Sequence, residues 1–334
     1  MNITKDRVVL LFYKNYEKDT FFKHDRYLKR LVRPAYHMVV KKQKMTGFYA
    51  WYQLLIKALR EAGYDVHLND YEFARKHPTY PVGLVGYPHL VDDWNLPNPA
   101  LLGPALFDHP QQAPRLLHNP RYKLYVVTCD WMRELFATVY SDRCVQWYAG
   151  MSMDGWPDTS THPKDIDVLI YDKIRWNRDH YEPALLNPII DFLNERGLQH
   201  TIIRYQHYTQ NLYRSLLHRS KSMIFLCEHE TQGIAYQEAL TSNVPILAWN
   251  NGFWLDPIRE KLDCKPIPAS SVPYFSPECG EKFMDLTEFP AVFELFWTKL
   301  ATYQPRQYVE RELSLAGSAQ IYMQYYHAIA KDII

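Results

Sequence analysis

Glu230 and Glu238 stand eight residues apart, with Gly233 between them. A glycine followed by a helical run makes a helix amino terminus, whose free N–H groups and positive dipole end suit a phosphate. Two carboxylates beside such a terminus are poor phosphate ligands. They are good acceptors for sugar hydroxyls, the task the acidic residue of a dinucleotide fold performs on ribose. The chemistry implied is a ligand both anionic and rich in hydroxyls. A second group of candidates, Lys173, Arg175 and Arg178, falls within six residues and offers cations for the anionic part.

The elements that must position these residues are legible around them. Met223–Cys227 is a short apolar run bounded by charge and reads as a buried strand. Glu228–Gly233 is a polar loop, Ile234–Leu240 a helix, Asn243 its stop, and Ile246–Trp249 a second apolar strand after Pro245. Such a βαβ unit carries its loop at the carboxyl edge of a parallel sheet, where open α/β sheets bind ligands. Asp167–Tyr171, before the basic residues, reads as a further strand of the same sheet.

The run E-T-Q-G-I-A-Y-Q-E-A-L-T-S-N-V-P-I-L-A resembles the E-x7-E signature of glycosyltransferase family 4, with Glu230, Gly233, Glu238, Ala239 and Pro245 in register. The resemblance implies an α/β chain of the GT-B class, with two Rossmann-like doubly wound domains facing across a cleft. It implies a retaining, metal-independent hexosyltransferase of polysaccharide biosynthesis. The donor would be a nucleotide-diphosphate sugar acting as co-substrate, with no other cofactor, and the acceptor a glycan or a lipid-linked molecule. Glu238 would hold the ribose and Glu230 the sugar. The family carries an Arg and a Lys five residues apart after the first strand of the donor domain. Lys173 and Arg178 have that spacing with the types exchanged, and Arg175 competes. A histidine follows a strand in the family's first domain; His109 matches best in position and His89 second. Gly47 would line the cleft near the transferred sugar. Two other readings fit the same fold, a nucleotide-sugar epimerase and a non-catalytic binding or assembly subunit. From the spacing, loss of Lys173 or Arg178 should slow turnover more than loss of Arg175.

The remaining chain fits two domains. Its 334 residues exceed what one core usually supports. The expected division is 1–155 for the acceptor domain, 164–315 for the donor domain, and a helix over 318–334 crossing back to the first, with a polar linker over 150–163. The 38 basic and 37 acidic residues nearly cancel, which gives no global signal for nucleic acid. One local exception is Lys23–Lys44, where eight cations interleave with apolar and aromatic residues against the single acid Asp25. That run reads as a solvated face or as a peripheral contact with anionic headgroups. The five cysteines form no C-x-x-C pair, and no apolar run is long enough to span a bilayer, so the expected setting is cytoplasmic, up to the inner face of the membrane. Asp165–Ile166–Asp167 has the D-x-D pattern of a metal site, but it precedes a strand instead of following one, and no essential metal is expected. Further strands are expected at Arg7–Tyr13, 65–69, Pro81–Tyr87, Ala105–Phe107, Lys123–Thr128, Cys144–Ala149 and His200–Arg204. Helices are expected at Tyr49–Ala62, Asp130–Tyr140, Pro183–Arg196, Tyr208–His218, Trp254–Lys261 and Leu286–Thr302.

Overall fold

In a computed structural model, residues 7–14, 47–262 and 265–331 are described; the basic run Lys23–Lys44 and Cys264 lie outside them. The first half builds a parallel sheet from β1 (Val8–Lys14), β2 (Asp65–Leu68), β3 (Val82–Gly86), β4 (Ala100–Leu102), β5 (Tyr122–Val127) and β6 (Cys144–Gln146). Their spatial order is β2-β1-β3-β4-β5-β6. Helix α1 (Gly47–Glu61) joins β1 to β2, and α2 (Tyr71–Lys76) and α3 (His89–Asp92) flank β3. Helix α4 (Asp130–Tyr140) joins β5 to β6.

The second half repeats the plan. Its strands are β7 (Ile166–Lys173), β8 (His200–Arg204), β9 (Ser220–Cys227), β10 (Ile246–Trp249) and β11 (Gly280–Phe283), in the order β11-β10-β9-β7-β8. The helices between them are α5 (Arg178–Tyr181), α6 (Asn187–Glu195), α7 (Gln210–Arg219), α8 (Ile234–Thr241) and α9 (Arg259–Leu262). Then come α10 (Phe289–Thr298), α11 (Pro305–Glu312) and α12 (Leu315–Lys331). Every strand pairing is parallel.

The continuous apolar strands follow from helices on both faces. Along β1, Val8, Leu10 and Phe12 face one layer with Trp131 and Phe136 of α4. Val9, Leu11 and Tyr13 face the other, with Trp51 of α1 and Tyr322 and Tyr326 of α12. In the second sheet Leu169, Tyr171 and Phe225 pack under α7 and α8, while Val168, Ile170 and Leu226 pack under α6 and α10.

Two expected elements differ. Ala105–Phe107 is a loop, because Ala105 turns with a positive φ of 71° that no strand accommodates. The strand lies just before it, at β4, between Pro99 and Pro104. Trp254–Lys261 is mostly loop: the Trp254 N–H donates to Ile267 O (2.9 Å), and Asp256 caps a turn through Ile258 N (2.9 Å), leaving only the single turn α9. Strand β11 and helices α2, α3, α5 and α11 have no counterpart among the expected elements.

Helix α12 packs on the first sheet although it ends the second half of the chain. Its Tyr326 hydroxyl, fully buried, accepts from Leu10 N (2.9 Å) and donates to Pro81 O (2.5 Å). Trp147 Nε1 donates to Ser318 O (2.9 Å) at the near end of the same helix. Tyr326→Phe leaves a buried N–H and a buried carbonyl without this partner. It should destabilise the protein by about 2 kcal/mol, read as a lower midpoint in urea at unchanged slope.

Candidate functional site

Each sheet has a switch point, between β1 and β3 in the first and between β7 and β9 in the second, where chain direction across the sheet reverses. Ligands of open α/β sheets bind at the strand carboxyl ends there. The two carboxyl edges enclose one cavity of about 370 Å³. The first domain supplies mainly rings: Trp51, Tyr87, Phe107, Tyr125 and Trp131, together with Asp108. The second supplies Lys173, Arg175, Tyr205, His229 and Glu230, then Trp254 and Asp256.

Parallel register sets the charged wall. Lys173, the last residue of β7, pairs with Cys227, the last of β9, so the turns that follow lie side by side. The Lys173 ammonium forms an ion pair with Glu230 Oε1 and sits 4.5 Å from the Tyr205 ring centroid. Both charged residues are only 9% exposed. Burial works against the Lys173 charge, but Glu230 together with Cys227 and Tyr205 more than offsets it, and the ammonium holds its proton more tightly than usual. Burial pushes the adjacent Cys227 thiol up, which keeps it an inert core group.

Arg175, rather than Arg178, shares the cavity with Lys173. Its guanidinium lies 3.9 Å from the Trp176 ring and donates to His229 O (2.9 Å). The turn is held by Glu228, which is buried and accepts from the backbone N–H groups of Arg175 (2.7 Å) and Trp176 (2.9 Å). Asn177 then adopts a left-handed conformation (φ 47°) and reverses the chain. Arg178 consequently forks onto Asp172 (3.1 and 2.8 Å) and reaches Glu182 (2.6 Å), away from the cavity wall.

Gly233 precedes α8 with φ 84°, and a Cβ there would meet Tyr236 Cε1 at 2.1 Å, so no other residue fits this turn. Glu238 does not line the cavity. Its carboxyl faces the start of α7, hydrogen-bonded by Gln210 and near Arg214. Burial raises its pKa from 4.5 to about 8 against those two partners. Gly47 opens α1, whose Trp51 reaches the cavity. His109 is 2% exposed. Its Nδ1 accepts from Gln111 N (3.1 Å), capping the turn Pro110–Gln112, and its ring stacks beside Trp254 at 6.1 Å. Its neighbour Asp108 is the one on the cavity wall. His89 begins α3 and stacks beside Tyr87 at 6.0 Å.

Several wall residues carry no local sequence signal: Trp131, Tyr205, His229 and Asp256. The position of Trp131, just past a strand that the sequence does reveal, is the nearest to a clue. The D-x-D pair is committed elsewhere, Asp165 to Arg219 (2.9 and 2.5 Å) and Asp167 to Lys221 (2.7 Å). Among the described residues no group of three or more His, Cys, Asp or Glu is arranged for a metal, and no helix is long and apolar enough to cross a membrane.

The domains meet through the loop after β9. Trp131 Nε1 donates to Glu230 O (2.9 Å) and Thr128 Oγ1 to Thr231 O (2.8 Å). Gln232, fully buried, exchanges two bonds with the backbone of Ala149 (2.8 and 2.7 Å).

No family profile and no curated relative matches the sequence. Solved structures do match in shape. Sucrose-phosphate synthase from Thermosynechococcus elongatus is similar with a TM-score of 0.55 at 11% identity, over 96% of this chain and all of that one (100%). AviGT4, a glycosyltransferase involved in avilamycin A biosynthesis, gives 0.54 at 13%, over 87% and 92%. The catalytic domain of starch synthase IV from Arabidopsis thaliana, bound to ADP and acarbose, gives 0.53 at 9%, over 86% and 79%. Likeness at such low identity establishes the fold, two Rossmann-like domains across a cleft in the GT-B arrangement.

Three outcomes follow from the geometry. Arg178→Ala should cost about 2 kcal/mol in thermal unfolding, less than breaking a fully buried pair because Arg178 stays partly solvated. Arg175→Ala, which removes the cation 3.7 Å from the buried Glu228 carboxylate, should cost a similar amount, and of the two it alone takes a cation from the cavity wall. Glu238, with a raised pKa in the fold, contributes stability that is complete below pH 4.5 and is lost as pH rises through about 8. Glu238→Gln should therefore gain melting temperature relative to the parent between those values and hold a constant lead above them.

Proposed function

We propose that the protein transfers a hexosyl group from a nucleotide-diphosphate sugar to a glycan or lipid-linked acceptor, with retention of configuration and without a metal. The observation that carries the reading is the juxtaposition of Lys173, Arg175 and Glu230 at the switch point of the second sheet, facing an aromatic wall of the first. Retention rests on the resemblance of Glu230–Pro245 to the family 4 signature.

In this mechanism the bond between the sugar's anomeric carbon and the diphosphate oxygen breaks, and charge grows on the departing oxygen. Lys173 and Arg175, already desolvated and fixed, stabilise that charge without reorganising. The acceptor hydroxyl attacks the face the diphosphate leaves, and its proton passes to the leaving phosphate oxygen. Glu230, held by Lys173, accepts from the sugar hydroxyls and orients the ring. The resemblance to the family 4 signature assigns the ribose to Glu238, which in this structure is hydrogen-bonded by Gln210 outside the cavity. On this account the transferred sugar rests against the first domain near Asp108, beside the turn that His109 caps.

The test is a thermal-shift screen against a panel of nucleotide-diphosphate sugars, because a ligand that binds only the folded state raises the melting temperature. At least one donor should shift the parent by several degrees and fail to shift Lys173→Ala. A parent unmoved by every donor at millimolar concentration would refute the reading.

A further inference from the structure

His229 has no task in the mechanism above, yet it lines the same cavity. It is 6% exposed, and three indoles fix its ring. Trp176 lies parallel to it at 5.1 Å and 3°, while Trp131 and Trp254 stand edge-on, each at 6.0 Å, at 88° and 78°. The imidazole cannot swing to find another partner without breaking that cage.

Its Nδ1 is sealed from solvent and has no hydrogen-bond partner. Burial, then the charges of Arg175 and Lys173, hold the ring well below its ordinary pKa, so it carries a single proton. A proton on Nδ1 would be a buried donor with no acceptor. A lone pair there costs less. The tautomer therefore places the proton on Nε2. A phenyl ring would fill the same cage with no polar penalty, so packing alone gives no reason for an imidazole here.

We propose that His229 is a ligand-binding residue of the cleft, its Nε2–H joining the Lys173 ammonium and the Arg175 guanidinium as a third donor to the oxygens of a diphosphate. This role rests on the donor reading above and sharpens it. The two cations supply charge, and the caged ring supplies one neutral donor of fixed direction, which sets how the diphosphate lies in the pocket.

Calorimetry with inorganic pyrophosphate and with a panel of nucleoside diphosphates tests the assignment on the parent, His229→Phe, His229→Gln and His229→Leu. The Phe variant should melt at or above the parent, having lost an unpartnered buried nitrogen, and should bind both kinds of probe about tenfold more weakly or worse. The Gln side chain carries an N–H near the place of Nε2 and should keep most of the affinity that Leu loses. Phe binding pyrophosphate as tightly as the parent would overturn the role, and so would Gln and Leu losing equally. If Phe does not fold, the comparison of Gln with Leu decides, since both lack the ring and only one has a donor. A parent that binds nucleoside diphosphates, alongside a Phe variant that binds them equally, removes this inference and leaves the donor reading standing. A parent that binds pyrophosphate alone removes the donor reading, and the variants' pyrophosphate affinities then judge His229. Binding of neither probe by the parent overturns both.

Discussion

The structure depends on how the six residues after β9 dispose of their backbone hydrogen-bonding groups. A loop at a buried sheet edge cannot leave them unpaired. Here the carbonyls of residues 229, 230 and 231 accept from Arg175, Trp131 and Thr128 in turn, and Glu230 N donates to Ser270 O at 2.9 Å. Two of those donors belong to the other domain. The loop that holds Glu230 is thus also the seam of the molecule, and the cavity cannot change shape without disturbing it.

That arrangement explains why so much charge is tolerated under so little solvent. Lys173 and Glu230 offset each other's desolvation only while both stay in place. Glu228 satisfies the turn that carries Arg175, and Asp172 and Glu182 keep Arg178 from entering the cavity. Each cation has its own acid, and the pairs differ in exposure. The partly solvated Arg178 pair serves the fold, while the buried pair at Lys173 faces the space a ligand would fill.

How much of this was legible beforehand follows the range over which each signal acts. The strand Ile246–Trp249 and the helix at Asp130–Tyr140 fall where the sequence places them, because a buried parallel strand and an amphipathic helix are written in consecutive residues. Strand β4 escapes notice because three residues between prolines carry no period. The choice between Arg175 and Arg178 turns on the left-handed Asn177, whose conformation reverses the side-chain direction that a spacing of five leaves undefined. The cage around His229 draws indoles from positions 131, 176 and 254, and no local pattern links residues so far apart.

Helix α12 covers a face of the first sheet with residues more than three hundred positions from β1. During synthesis the strands of that sheet leave the ribosome long before their cover does. Val9, Leu11 and Tyr13 must wait with α1 as the only one of their two helical covers while the entire second domain is made. The half of the protein made first is therefore the half completed last, and until α12 docks its uncovered apolar surface is the place where chaperones, or another nascent chain, would bind.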